Sequence, residues 1–242
     1  MESKKIVFIN GANRGIGFET ARELAEKGVH VVLGVRSAEL GKAAVEKLRQ
    51  QSLESEYLEF DVKNPQHYKI AAKFFEEKFG RLDIFVNNAG IMIDGATPTS
   101  EIGPEKLRET FDVNFFAPIA ITQNLLPLLK KSTAGRIVNL SSILGSLELH
   151  SIPSSPIYES KVFAYDASKT ALNAFTVHLA HELRNTKIKV NSAHPGWVKT
   201  DMGGPSAPMD LSDGGKTSVQ LALLPDSGPT GGFFHLGKPL PW

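Results

Sequence analysis

Apolar, largely β-branched runs recur along the chain at residues 4–10, 29–35, 57–62, 84–87, 136–140, 189–193 and 232–236. They are nearly continuous rather than alternating, which predicts strands buried on both faces. Between them, residues 18–27, 40–50, 66–79, 105–130, 165–185 and 212–224 carry apolar side chains at helical spacing. Strand followed by helix, repeated, predicts an α/β fold: a doubly wound parallel sheet of about seven strands with helices on both faces. No repeat or linker-like change in composition divides the sequence, so residues 1–242 read as a single domain. Two stretches rich in Ser, Pro and Gly interrupt the rhythm, an insertion around 144–163 and a loop around 196–213. Irregular segments of that length commonly serve as lids or binding loops.

Composition narrows the function. The 27 basic side chains are balanced by 26 acidic ones, so neither a nucleic-acid footprint nor a polybasic membrane anchor is expected. The chain has no cysteine, which excludes disulfides, thiolate metal sites and a cysteine nucleophile and suits a reducing cytoplasm. Its first apolar run is too short for a signal-peptide core, and no window reaches the roughly 18 apolar residues of a membrane span.

Directly after the first strand comes Gly11-Ala12-Asn13-Arg14-Gly15-Ile16-Gly17, leading into a helix expected to start near Phe18. Glycines at a strand-to-helix turn let backbone N–H groups approach a pyrophosphate, and the helix N-terminus adds partial positive charge. Placed at the head of a βαβ unit, this loop predicts a Rossmann-type dinucleotide site. A P-loop is excluded, because Asp210 stands where the glycine leading to Gly215-Lys216-Thr217 would be needed. An NAD site would have an acid at the end of the second strand; here Val35 is followed by Arg36 and Ser37. Arginine pairs with a phosphate that a carboxylate would repel, so NADP(H) is the expected cofactor, with Arg14 as a second charge for the 2′-phosphate.

Tyr165 and Lys169 are one helical turn apart, so phenol and amine share a face. Ser141-Ser142 and His194-Pro195-Gly196 end predicted strands at the same sheet edge, where open α/β folds bind ligands. With these residues in place, the chain resembles the short-chain dehydrogenase/reductase family over essentially its whole length. The resemblance rests on residues 11–17, Asp61-Val62, Asn87-Asn88-Ala89-Gly90, Asn114, Ser141-Ser142, Tyr165 with Lys169, and Pro195-Gly196 followed by Val198 and Thr200. The run from Pro195 to Met202 and the terminal Trp242 look most like the carbonyl reductase branch.

The resemblance implies a single-domain Rossmann fold and hydride transfer from NADPH to a ketone or aldehyde, without a metal. It makes Tyr165 the general acid, with Lys169 holding the nicotinamide ribose and lowering the tyrosine pKa. Ser142 would orient the carbonyl and Asn114 support a proton relay. It places Asp61 and Val62 at the adenine, Asn88, Ala89 and Gly90 along the adenosine ribose side, and Pro195, Gly196, Val198 and Thr200 at the nicotinamide. Met92, Ser142, Ile143, Trp197 and Met202, following strand ends on that side, are expected to line an apolar substrate pocket.

Three departures qualify the match. Asn10 stands where the family most often has threonine, and its amide can still bond locally. His194 precedes Pro195 and reads as a partly buried strand-end histidine rather than a catalytic one. The spacing from Ser142 to Tyr165 is about ten residues longer than is usual in the family. A longer insertion at this place covers the dimer-forming face in carbonyl reductases, so a monomer is favoured here. A regulatory NADP(H) sensor without turnover and an alcohol dehydrogenase running oxidatively remain open as alternatives. His178 and His181 lack a third ligand at metal spacing, and no Gly-x-Ser-x-Gly elbow is present.

Overall fold

The computed structural model describes residues 4–95 and 97–242; the first three residues of the expected 1–242 domain, and residue 96, lie outside the described residues. Strands β1 (Ile6–Asn10), β2 (His30–Val35), β3 (Ser55–Glu59), β4 (Ile84–Asn87), β5 (Arg136–Leu140), β6 (Lys189–Ala193), β7 (Phe233–His235) and β8 (Lys238–Pro239) form one sheet in the order β3-β2-β1-β4-β5-β6-β7-β8. All neighbours pair in parallel except β7 with β8. The chain winds outward from β1 to β3, crosses back to β4 and winds the other way, so the strand order reverses between β1 and β4. In open α/β sheets that reversal leaves a crevice at the carboxyl edge.

Helices cover both faces. Alternate residues of the buried strands enter opposite cores, which explains why the strands read as continuous apolar runs. Phe8, Phe85 and Ile137 pack with α3 (Pro65–Phe79), α5 (Ala117–Leu129) and α7 (Phe163–Glu182). Val7, Ile9, Leu33 and Val86 pack with α1 (Gly15–Glu26), α2 (Ala38–Arg49) and α9 (Lys216–Ala222). Among the described residues, no helix is long and apolar enough to cross a membrane.

Four expectations are corrected. The eighth strand was not foreseen, because two residues, one of them proline, carry no periodicity. It is formed by a tight turn with Leu236 and Gly237 both at positive φ, the geometry that matches hairpin twist. β3 lies earlier than residues 57–62, since Phe60 and Val62 pack into the core beyond the end of the strand. The helix expected over 105–130 is α4 (Pro104–Phe111), a wider π-turn at Asp112–Phe116, and α5. The helix expected over 212–224 divides into α8 (Leu211–Gly214) and α9. The insertion around 144–163 begins with order: a 3-10 turn at Ile143–Gly145 and the short helix α6 (Leu147–Ser151).

A buried ladder of side-chain amides and hydroxyls runs under the carboxyl edge. Asn10 Nδ2 donates to Asn87 Oδ1 at 3.2 Å, and Asn87 Nδ2 donates to Asn139 Oδ1 at 3.0 Å. Asn139 Nδ2 and Ser192 Oγ both donate to Thr176 Oγ1 on α7, each at 2.9 Å. Strand register makes this possible, since Asn87 faces Asn139 and Asn139 faces Ser192. Removing a middle rung strands its partners in a dry interior. We therefore expect Asn87→Ala to destabilise the fold by about 2–4 kcal/mol in urea unfolding; a loss below about 0.5 kcal/mol would show that the ladder carries little of the load.

Candidate active site

The glycine loop is built for close approach. Gly11 and Gly15 adopt left-handed φ of 66° and 60°. A Cβ on Gly17 would lie 2.4 Å from Asn88 Nδ2 and 2.6 Å from the Gly11 carbonyl oxygen. The loop is fastened to the end of β4 in both directions. Asn10 Oδ1 accepts from the N–H groups of Asn88 (2.8 Å) and Ala89 (2.7 Å), while Asn88 Nδ2 donates to the carbonyls of Asn10 and Gly11, both at 3.0 Å. Asn10 thus bonds locally, as the sequence suggested. Helix α1 starts earlier than expected, at Gly15. Its N-cap residue Arg14 makes no side-chain cap, leaving the first-turn N–H groups to be satisfied by something else. Asn13 and Ile16 are half-buried in the same turn.

Arg36 is exposed beyond the end of β2. Ser37 caps α2, its Oγ accepting from Leu40 N at 3.3 Å and keeping its own proton to donate. Arg14, the second charge expected for the 2′-phosphate, is paired with Asp201 of the 196–213 loop at 2.7 Å. Both partners are largely exposed, and such pairs contribute at most about 1 kcal/mol. Beyond β3, the Asp61 carboxylate accepts from Lys63 N, and the Val62 carbonyl accepts the Tyr68 hydroxyl.

The catalytic candidates come together at the carboxyl ends of β4 and β5. Tyr165 and Lys169 are buried on α7, with Lys169 Nζ 5.5 Å from the centroid of the Tyr165 ring. Lys169 Nζ donates to the Leu140 carbonyl at 2.7 Å, and Ser142 lies near enough to the Tyr165 phenol to oppose the effect of its burial. Asn114 lies in the π-turn, fully buried. Its Oδ1 accepts from Ile91 N, and its Nδ2 donates to the Ile91 carbonyl (both 2.8 Å) and to Ser168 Oγ (3.0 Å). Gly90 fits between the two, since a Cβ there would sit 3.3 Å from Asn114 Oδ1 and 3.4 Å from Lys169 Nζ.

Burial governs the titration of the pair. It pushes the Lys169 amine down to about 8 and the Tyr165 phenol up to about 12. Among the protein's own groups the lowering influence on the tyrosine comes from Ser142, and desolvation of the phenolate outweighs it.

The 196–213 loop is ordered by its own bonds. Gly196 has a φ of 97°, Val198 bridges Met209, and Thr200 Oγ1 accepts from Gly203 N at 3.0 Å. Trp197 Nε1 donates to the Gly203 carbonyl at 2.8 Å, which pins an indole that is 56% exposed. Met202 is exposed too, Met92 and Ile143 are half-buried, and Pro195 is buried behind them.

Two residues that shape the site had no local signal in sequence. Asp94 is buried, and its Oδ2 accepts from the N–H groups of Ala164 (2.7 Å) and Tyr165 (3.4 Å), setting the start of α7 from 70 positions away. Gly145 lets the turn after Ser142 lie against α7, since a Cβ would meet the Lys169 carbonyl carbon at 2.9 Å.

A glycine-lined, uncapped helix N-terminus beside a buried tyrosine, lysine and serine defines a dinucleotide-dependent oxidoreductase site. The model of the short chain dehydrogenase family matches residues 5–210. The chain belongs to the short-chain dehydrogenase/reductase family, in its carbonyl reductase-like branch. It is 34% identical to mouse carbonyl reductase [NADPH] 1, with 99% of each chain covered. The carbonyl reductase Sniffer of D. melanogaster superposes with a TM-score of 0.85 at 32% identity, covering 99% of this chain and 100% of that one. The NADPH-bound carbonyl reductase from chicken fatty liver superposes at 0.86 and 27% identity, with 99% of each covered.

Asp166, next to Tyr165, yields a test of the site's electrostatics. Its Oδ2 accepts from Val162 N at 3.0 Å, while burial, reinforced by Asp94, pushes the carboxyl up to about 7. A folded-state pKa above the unfolded one means that folding favours the protonated acid. The stability this provides is complete below about pH 4 and lost as pH rises through about 7. Asp166→Asn is accordingly expected to exceed the wild type by about 1–2 kcal/mol at alkaline pH, with the margin vanishing near pH 4. Urea unfolding at the two pH values checks this, and an unchanged margin would contradict it.

Proposed function

We propose that this protein is an NADPH-dependent carbonyl reductase, in which Tyr165 is the general acid for reduction of a ketone or aldehyde. The observation that carries this reading is the meeting of Tyr165, Lys169 and Ser142 at the edge that also carries the glycine loop. Residues 11–17 fit a pyrophosphate: the loop leaves no room for a Cβ at Gly17, and the α1 N-terminus offers free N–H groups. Arg36 and Ser37, with no acid between them and Val35, fit a 2′-phosphate, so NADP(H) is the cofactor the residues suit. Asp61 and Val62 would flank the adenine, Asn88, Ala89 and Gly90 the adenosine side, and Pro195, Gly196, Val198 and Thr200 the nicotinamide.

Bound NADPH supplies the hydride for the carbonyl carbon. Tyr165, held protonated by burial, donates its proton to the carbonyl oxygen as negative charge develops there. Ser142 orients that oxygen, and its nearness to Tyr165 favours the phenolate left behind. The Lys169 amine is fixed by the Leu140 carbonyl beside the phenol, where it can hold the nicotinamide ribose. Asn114, locked to Ile91 and Ser168, supports proton return to the tyrosine. Met92, Ile143, Trp197 and Met202 form the apolar side of the substrate site. We assign residues 1–242 to one catalytic domain, acting as a monomer in the cytoplasm on a small-molecule carbonyl.

Two experiments test this. With aromatic and aliphatic ketones, NADPH absorbance should fall, and Tyr165→Phe should slow turnover by about 10³-fold while NADPH affinity stays within about twofold. Tight NADPH binding without turnover would favour a sensor instead. Arg36→Asp should move the ratio of kcat/KM for NADPH over NADH by about 10²-fold toward NADH; an unchanged ratio would remove Arg36 from the phosphate site.

A further inference from the structure

We propose that His194 is a positioning residue for the reaction: its Nδ1 accepts the Ile143 N–H and thereby holds the turn that presents Ser142. The inference deepens the reading given above and rests on Ser142 as the carbonyl-orienting hydroxyl.

A 3-10 turn begins with N–H groups that have no partner inside it. Ser142 serves one of them, its Oγ accepting from Leu144 N at 3.2 Å, while its carbonyl closes the turn by accepting from Gly145 N at 2.8 Å. The Ile143 N–H is left over, and His194 Nδ1 takes it at 3.2 Å. Since an N–H can only donate, Nδ1 must be bare and the ring proton must sit on Nε2.

The ring is a fixed strut. The His194 N–H donates to the Phe234 carbonyl at 2.8 Å, and the His194 carbonyl accepts from His235 Nδ1 at 2.9 Å. The His235 ring packs 4.9 Å away, centroid to centroid. His194 is 8% exposed, and burial together with His235 pushes it down to about 3, which preserves the bare acceptor across the working pH range. The strut therefore joins β6 and β7 to the residue that follows Ser142. Losing it would free the serine hydroxyl to turn away from the carbonyl, while the glycine loop on the far side of the sheet edge would be untouched.

The choice of variants follows from where each side chain puts its acceptor. Asparagine places an oxygen at the δ position, where Nδ1 now lies; leucine fills the space without an acceptor. With NADPH and a ketone that the wild type reduces, His194→Leu should lower kcat about tenfold with NADPH affinity within about twofold, and His194→Asn should stay within about threefold of wild type. Equal kcat for wild type and leucine variant, or equal losses for leucine and asparagine, would overturn the proposal. Nitrogen NMR of the wild-type imidazole provides a readout that does not depend on the variants folding. A bare Nδ1 and a protonated Nε2 from about pH 5 to 9 are expected, and a protonated Nδ1 or a titration near the ordinary histidine value would overturn it. If the wild type reduces no carbonyl at all, the reductase reading fails, whereas the NMR result still reports on the hydrogen bond.

Discussion

Lys169 and Tyr165 are buried together one turn apart on α7, and the rest of the site is arranged around the consequences of that burial. Water would keep the amine charged and let the phenol ionise near its ordinary value; the interior does the reverse, pulling Lys169 down to about 8 and Tyr165 up to about 12. A phenol in that state holds its proton firmly at neutral pH, which suits the proton-donating role proposed for it. The Leu140 carbonyl gives the amine an acceptor inside the protein, and Ser142, beside the phenol, works against its desolvation. Without those partners the two buried polar groups would be costly.

Such a pair needs a rigid surrounding, and the sheet provides it through polar contacts as much as apolar ones. The amides of Asn10, Asn87 and Asn139 bridge β1, β4 and β5, and Thr176 carries the chain into α7 itself. Asn10 stands at one end of this ladder and also holds the Asn88 and Ala89 N–H groups. The loop that suits the phosphates and the helix that carries the tyrosine are therefore tied to the same buried scaffold. The π-turn at Asp112–Phe116 belongs to this arrangement, since the irregular turn includes Asn114, which reaches both Ile91 and Ser168. Wide turns of this kind inside helices are frequent at functional sites.

The parallel sheet was legible because both of its faces are buried, which leaves near-continuous apolar runs along strands such as β1, β2 and β4. The glycine loop and the Tyr165–Lys169 pair were legible because each acts over a few consecutive residues. What could not be read depends on contacts between distant segments. Asp94 starts α7 through N–H groups 70 residues downstream, and Gly145 is required only because Lys169 packs against it. The pairing of Arg14 with Asp201 was not legible, because it depends on how the 196–213 loop folds. The π-turn was hidden because apolar spacing continues through it, and β8 because two residues have no pattern. Tyr165 itself illustrates the limit: its position was evident, but the direction of its pKa depends on burial.

The central claim is that the phenol of Tyr165 and the hydroxyl of Ser142 converge on one substrate oxygen. A crystal structure of the protein with NADP⁺ and a bound ketone measures this directly. The account predicts the carbonyl oxygen within about 2.6–3.2 Å of both the Tyr165 hydroxyl and Ser142 Oγ. A well-ordered ketone whose oxygen is bound by other groups, with Tyr165 and Ser142 turned away from it, would contradict the account.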